Sequence, residues 1–163
     1  MNEALIEIWN ETVKPTDHVY HLGDIIFNFA DIEDVFSQLN GSIDFLNGNH
    51  DKNKTVDEIV RVAPSRFRNL HGPYHEVFPG KGLPPLILCH YPMRTWNKSY
   101  HGSIHLHGHV HGKLEPLGKS VDVGVDATWI TGKAEYRPFS LTEVLAFMEN
   151  RGVVDPIAER IND

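Results

Sequence analysis

Residues 42–51 read Ser42-Ile43-Asp44-Phe45-Leu46-Asn47-Gly48-Asn49-His50-Asp51. An apolar run that ends in Asn-Gly turn chemistry fits a short buried strand opening into a polar loop. Val56, Ile59 and Val60 then recur at helical spacing, so the loop joins a strand to a helix. Such units build α/β sheets, and ligands of those sheets sit just beyond the carboxyl ends of the strands. Asn49, His50 and Asp51 therefore fall where chemistry is expected.

Upstream the pattern repeats. Phe29, Ile32, Val35, Phe36 and Leu39 mark an amphipathic helix closed by Asn40-Gly41, and the run from Asp17 to Gly23 reads as a strand delivering Gly23-Asp24. Leu5, Ile8, Trp9 and Val13 predict an opening helix from the second residue, stopped by Pro15. Downstream the character changes to strands at Tyr74 to Phe78, Leu86 to Cys89, Ile104 to Leu106 and Ser120 to Val125, separated by Gly/Pro-rich turns. Ser140-Leu141-Thr142-Glu143 has the form of a capping box, which would open a helix with apolar positions Leu141, Val144, Leu145 and Met148. The order αβαβα, then β, then α is expected to form a single domain over residues 1–163.

Composition bounds the function classes. A formal net charge of -7 argues against general affinity for nucleic-acid backbones or anionic membranes. No apolar stretch approaches the ~20 residues of a membrane span. The single cysteine, Cys89, allows no intrachain disulfide and fits a reducing cytoplasm. It also argues against a closed structural zinc site, which favours sets of Cys and His. The unusual component is histidine, with 11 copies.

Each polar motif has a bland explanation. Asp24 suits a turn or helix cap, Asn47-Gly48-Asn49 is good turn chemistry, and His90 after a buried strand could be structural. Gly108-His109-Val110-His111 shifts the balance, because on an extended segment residues i and i+2 point the same way and can approach one centre. His105 and His107 continue that alternation further back, where packing or support of the ligands is expected. Together Asp24, Asn49, His90, His109 and His111 make a mixed N/O donor set, which suits Mn, Fe, Zn or Ni better than Ca or Mg.

This order of motifs resembles the calcineurin-like metallophosphoesterases from about Asp17 to Gly112, with weaker similarity at Val123-Gly124-Val125-Asp126 and Arg137-Pro138. The stretch His90-Tyr91-Pro92-Met93-Arg94-Thr95-Trp96 is similar to the small bacterial and phage members. The resemblance implies a four-layer α/β/β/α sandwich of two mixed sheets and hydrolysis of a phosphomonoester or phosphodiester by a hydroxide bridging two divalent ions, Mn foremost. By that resemblance Asp24, Asn49, His90 and His109 hold one ion, while Asp24 and His111 contribute to the other. His50 protonates the leaving oxygen, a task suited to imidazole, and Asp51 holds its tautomer. Arg94 and Trp96 are expected to contact a small phosphorylated substrate, a nucleotide being one that fits; otherwise Arg94 is a solvated charge and Trp96 caps the edge of the core.

The resemblance also implies a first strand ending in Asp-x-His, a pattern this sequence lacks. That strand and its loop are expected upstream of residue 1, whether the chain is cut, mis-started or naturally short. Without them the chain is expected to bind one ion well and the second weakly, and to expose a sheet edge that a homodimer would cover. The alternative is a non-catalytic metal-binding or interaction scaffold on the same fold.

Overall fold

The structure, a computed structural model, describes residues 2–26 and 28–153. Four helices, α1 (Asn2–Thr12), α2 (Ile32–Gln38), α3 (Asn53–Val62) and α4 (Leu141–Met148), accompany seven strands. Strands β1 (His18–His21), β2 (Ser42–Phe45) and β3 (Phe67–Asn69) form a three-stranded parallel sheet in that order. Strands β4 (Tyr74–Val77), β5 (Leu86–Cys89), β6 (Ile104–His107) and β7 (Ser120–Asp122) form a second sheet in that order. Its β4–β5 pair is antiparallel, and β5–β6 and β6–β7 are parallel. The chain is thus mixed α/β with two sheets. Only the second is mixed, contrary to the expectation of two mixed sheets: helices α2 and α3 serve as crossovers that return the chain to lay β2 and β3 parallel to β1.

Alternation along the first sheet sorts its faces. Ile43, Phe45 and Phe67 point into a core with Ile6 of α1, Ile32 and Phe36 of α2, and Val56 and Ile59 of α3. Phe36, Phe45 and Phe67 meet edge-on with centroids 5.9, 6.0 and 5.9 Å apart, a geometry worth about 0.5–1.5 kcal/mol per pair beyond area burial. Phe29, placed on this apolar face from sequence, has a side chain outside the described residues. Tyr20 points the other way. With Leu22, Leu46 and Leu70, which follow the three strands, it joins a second core built from Leu86, Leu88, Ile104, Leu106, Val121 and α4. That core ties the first sheet to one face of the second.

Strand β3 was not legible from sequence, because only Phe67 of its three residues is buried. It is set instead by pairing. Arg68 lies opposite Asp44 in register, and its Nε donates to Asp44 Oδ1 at 3.0 Å across the sheet. Most other expected elements form within a residue or two of their sequence limits, but the strand expected to reach Val125 stops at Asp122 and the last helix stops at Met148, short of Gly152.

The capping box forms as expected. Glu143 N–H donates to Ser140 Oγ at 3.2 Å, and Ser140 N–H donates to Glu143 Oε2 at 2.8 Å. Arg137 adds a two-pronged pair to the same carboxylate, and this partner above all, with the Ser140 bonds, holds Glu143 down to about 2 from 4.5. A carboxyl lowered on folding stabilises the protein fully above its unfolded value, and that contribution fades as pH falls from 4.5 towards 2. Urea unfolding across this window should therefore show less acid-induced loss of stability in Glu143→Gln than in wild type.

Candidate metal centre

The four motifs meet at the carboxyl ends of parallel strands. Gly23-Asp24 follows β1, Gly48 to Asp51 follows β2, His90 follows β5, and Gly108 to His111 follows β6. Two glycines let the first two loops touch. A Cβ at Gly23 would lie 2.4 Å from Gly48 N, and one at Gly48 would lie 2.3 Å from Asp24 Oδ1. Gly23 also takes a positive φ of 101°, which glycine adopts without strain.

Asp51 clasps the two loops together. Its Oδ2 accepts from the N–H groups of Asp24 (2.7 Å) and Gly48 (2.8 Å), and Oδ1 accepts from Ile25 N–H at 2.9 Å. These bonds give the carboxylate a backbone role besides the expected one of orienting His50. His50 stands exposed at the rim, and its own N–H donates to Asp24 Oδ1 at 2.9 Å. The second oxygen of Asp24 remains turned to the centre.

His90 supplies the decisive geometry. Its imidazole is 1% exposed, and Nδ1 lies 2.7 Å from the carbonyl oxygen of Leu22. A carbonyl only accepts, so Nδ1 carries the proton and, in the neutral ring, Nε2 presents a lone pair. That lone pair faces Asn49 Oδ1 at 2.9 Å and Asp24 Oδ2 at 3.5 Å. Three acceptor atoms converge with no donor among them, a repulsive arrangement unless a proton or cation joins them. His109 completes the group: ligand atoms of Asp24, His90 and His109 all lie within 4.8 Å of one another. The donor set, one carboxylate, one amide oxygen and two imidazoles, suits a first-row divalent ion.

Asp24, His109 and His111 all take left-handed φ values, 54°, 69° and 52°. Such values are uncommon outside glycine, although Asp and His tolerate them better than most residues; His71, Lys98 and Tyr136 adopt them elsewhere.

His111 stands apart from the group. Its Nδ1 is 2.7 Å from Asp126 Oδ2 at the exposed surface. Among the described residues, Asp24, His90 and His109 are the only set of three or more His, Cys, Asp or Glu side chains so gathered. A carboxylate on the far side of the turn had no signal in the sequence beyond the Val123-Gly124-Val125-Asp126 stretch. Asp122 was likewise missed; 1% exposed, it accepts from Gly112 N–H at 2.8 Å and Gly124 N–H at 2.7 Å and so ties the end of the His-Val-His-Gly turn to β7.

The two residues expected on the substrate side lie in the loop between β5 and β6. Trp96 donates its indole N–H to Ser103 (3.0 Å to Oγ) and lies against the ring of His105. The indole N–H thus anchors its own loop. Arg94 is exposed. Tyr91, in contrast, packs edge-on against His90 and His109, with centroids 4.8 and 4.9 Å away.

A groove of ≈ 320 Å³ runs from Asp24, His90, His109 and His111 along the whole of β1, the edge strand of the first sheet. Its floor is apolar, with Leu86, Leu88, Leu106, Phe139 and Val144. His21 lines it as well; burial, foremost among the causes, pushes this imidazole below its ordinary value. Its Nδ1 accepts from Gly23 N–H at 3.2 Å and so supports the first loop.

The chain is similar to the uncharacterized protein MJ1445 of Methanocaldococcus jannaschii, 28% identical over 167 residues that cover 96% of this chain and 80% of the relative. Among solved structures it is similar to the protein of unknown function AQ665 from Aquifex aeolicus. That match has a TM-score of 0.62 and 23% identity and covers 88% of this chain and 82% of the other, a likeness of fold. No protein-family model matches. No helix among the described residues is long and apolar enough to cross a membrane.

Proposed function

We propose that this chain is a metal-dependent phosphoesterase acting on a phosphomonoester or phosphodiester, with Asp24, Asn49, His90 and His109 holding a divalent ion. The convergence of His90 Nε2 on Asn49 Oδ1 at 2.9 Å and Asp24 Oδ2 at 3.5 Å, with its other nitrogen committed to Leu22, is the observation that carries this proposal. It is supported by the gathering of Asp24, His90 and His109 ligand atoms within 4.8 Å of one another. On this basis the two sheets and four helices belong to the four-layer metallophosphatase sandwich, and Mn is the ion of first choice.

A bound divalent ion would supply positive charge to the phosphoryl oxygens, which an acidic chain otherwise lacks, and would acidify water. The chain's own residues do the rest. Leu22 fixes the tautomer of His90, so that a lone pair meets the ion without prior loss of a proton. Asp51 holds the Asp24 and Gly48 loops at the spacing the ligands require. His50, exposed at the rim, donates a proton to the leaving oxygen. The substrate is a small phosphorylated molecule, a nucleotide being one that fits, and the protein works in the cytoplasm.

The scaffold alternative draws on one observation, that His111 points to Asp126 and lies outside the ligand group. Metal content per chain, paired with Mn-dependent hydrolysis of bis-p-nitrophenyl phosphate, decides between them. Roughly one ion per chain is expected, lost in His90→Ala. Turnover should fall about 10²–10⁴-fold in His50→Ala with metal content unchanged. Metal without turnover would favour the scaffold, and no metal would sink the site.

A further inference from the structure

The second sheet buries an unusual face. Beside Ile87 and Cys89 it presents Ser120, Asp122, His105 and His107, all buried. His105, 0% exposed, makes two bonds that tie separate pieces of chain together. Its Nδ1 lies 3.0 Å from the carbonyl oxygen of Ile87, which can only accept, so Nδ1 carries the proton. Its Nε2 is then a pure acceptor, and Met93 N–H donates to it at 3.0 Å. Burial pushes this imidazole down to about 4, so the acceptor persists at neutral pH.

Met93 is two residues from Tyr91, and Pro92 lies between them. Proline fixes its own φ and restricts the residue before it to extended conformations. The turn is therefore a stiff lever: anchoring Met93 N–H sets the position of Tyr91. Tyr91 in turn packs against His109, whose exposed position and left-handed backbone leave its ring dependent on such neighbours.

We propose that His105 is a positioning residue for the metal centre, fixing the Tyr91–Met93 turn against β6 and thereby the ring of His109. This rests on the metal-binding role of Asp24, Asn49, His90 and His109, and adds that their affinity is set from the opposite face of the sheet. Support of a ligand by an outer neighbour is typically worth about 10–100-fold in metal affinity.

A double-mutant cycle on Mn affinity, measured by calorimetric titration of the whole chain, tests it. His105→Leu and Tyr91→Ala are each expected to weaken Mn binding about tenfold, and the double variant no further, because both break one path. His105→Gln, whose amide oxygen can accept from Met93 N–H, should recover most of the loss. A purely structural role would lower the melting temperature but leave the two losses additive. Wild-type affinity in a folded His105→Leu, or full additivity, overturns the proposal. Should His105→Leu not fold, unchanged affinity in Tyr91→Ala, a change at a partly exposed side chain, overturns it alone. Absence of Mn binding in wild type would instead refute the metal site itself.

Discussion

Gly48→Ala is expected to be among the most damaging single methyl groups that can be added to this protein, and Gly108→Ala, in the sister motif, among the least. The added Cβ at Gly48 would sit 2.3 Å from Asp24 Oδ1 and 2.5 Å from Asp24 N, with His90 Cε1 at 2.8 Å. The backbone atom cannot swing aside, because Asp24 N–H is already bound to Asp51. The loops after β1 and β2 must part, which breaks the clasp and moves two ligands together. A loss of about 4 kcal/mol or more follows, at the extreme of single-substitution effects. For a chain of this size that lowers the melting temperature by roughly 10 °C, and Mn binding should disappear. At Gly108 the nearest atom to an added Cβ is His90 O at 4.0 Å, so the melting temperature should stay within a degree or two. Equal effects at the two glycines would contradict the close approach of the loops.

That contrast also shows what a sequence can and cannot convey. The two glycines head similar motifs, Gly-Asn-His-Asp and Gly-His-Val-His, and read alike on paper. Only the packing of β1 beside β2 makes one indispensable. Helical periodicity, turn chemistry and the capping box at Ser140 and Glu143 are local properties, so most elements could be read directly from the chain. Strand β3 could not, since Arg66-Phe67-Arg68-Asn69 has neither alternation nor an apolar run. It is held by backbone pairing to β2, by burial of Phe67 and by the Arg68–Asp44 contact across the sheet. At the site, the residues that Asp24, Asn49, His90 and His109 represent were legible because their types carry metal chemistry. Their supports were legible only in part: His105 and His107 fell behind the ligands by alternation, but the others did not show. A backbone carbonyl at Leu22 has no sequence signature, and Tyr91, Asp122 and Asp126 gain meaning only from what lies across the fold. Trp96 illustrates a signal that sequence leaves double: an aromatic beside a motif suits substrate binding, and its N–H also anchors the loop to Ser103.

Asp51 is the second position where a large effect is expected, and the kind of effect discriminates between two roles. Were the carboxylate there to orient His50 for proton transfer, Asp51→Asn would slow turnover while stability and metal affinity stayed as they are. The three N–H groups it accepts, from Asp24, Ile25 and Gly48, predict otherwise. An asparagine keeps one acceptor oxygen and turns an NH₂ towards the remaining N–H, so at least one bond is replaced by donor against donor. Alanine leaves all three donors without their partner. Bonds to a charged acceptor contribute about 1.5–3 kcal/mol each, and with the site partly open to water the sum is discounted to about 3 kcal/mol for Asp51→Ala, somewhat less for Asp51→Asn. Because the freed groups belong to the backbone of one ligand and of the turn before another, metal affinity should fall in step, by roughly 100-fold. Urea unfolding of the metal-free protein separates the two roles without reference to turnover. Unchanged stability in Asp51→Ala would return the residue to the side of His50, and lowered stability with parallel loss of Mn would place it beneath the metal centre, as the clasp that keeps β1 and β2 in reach of one ion.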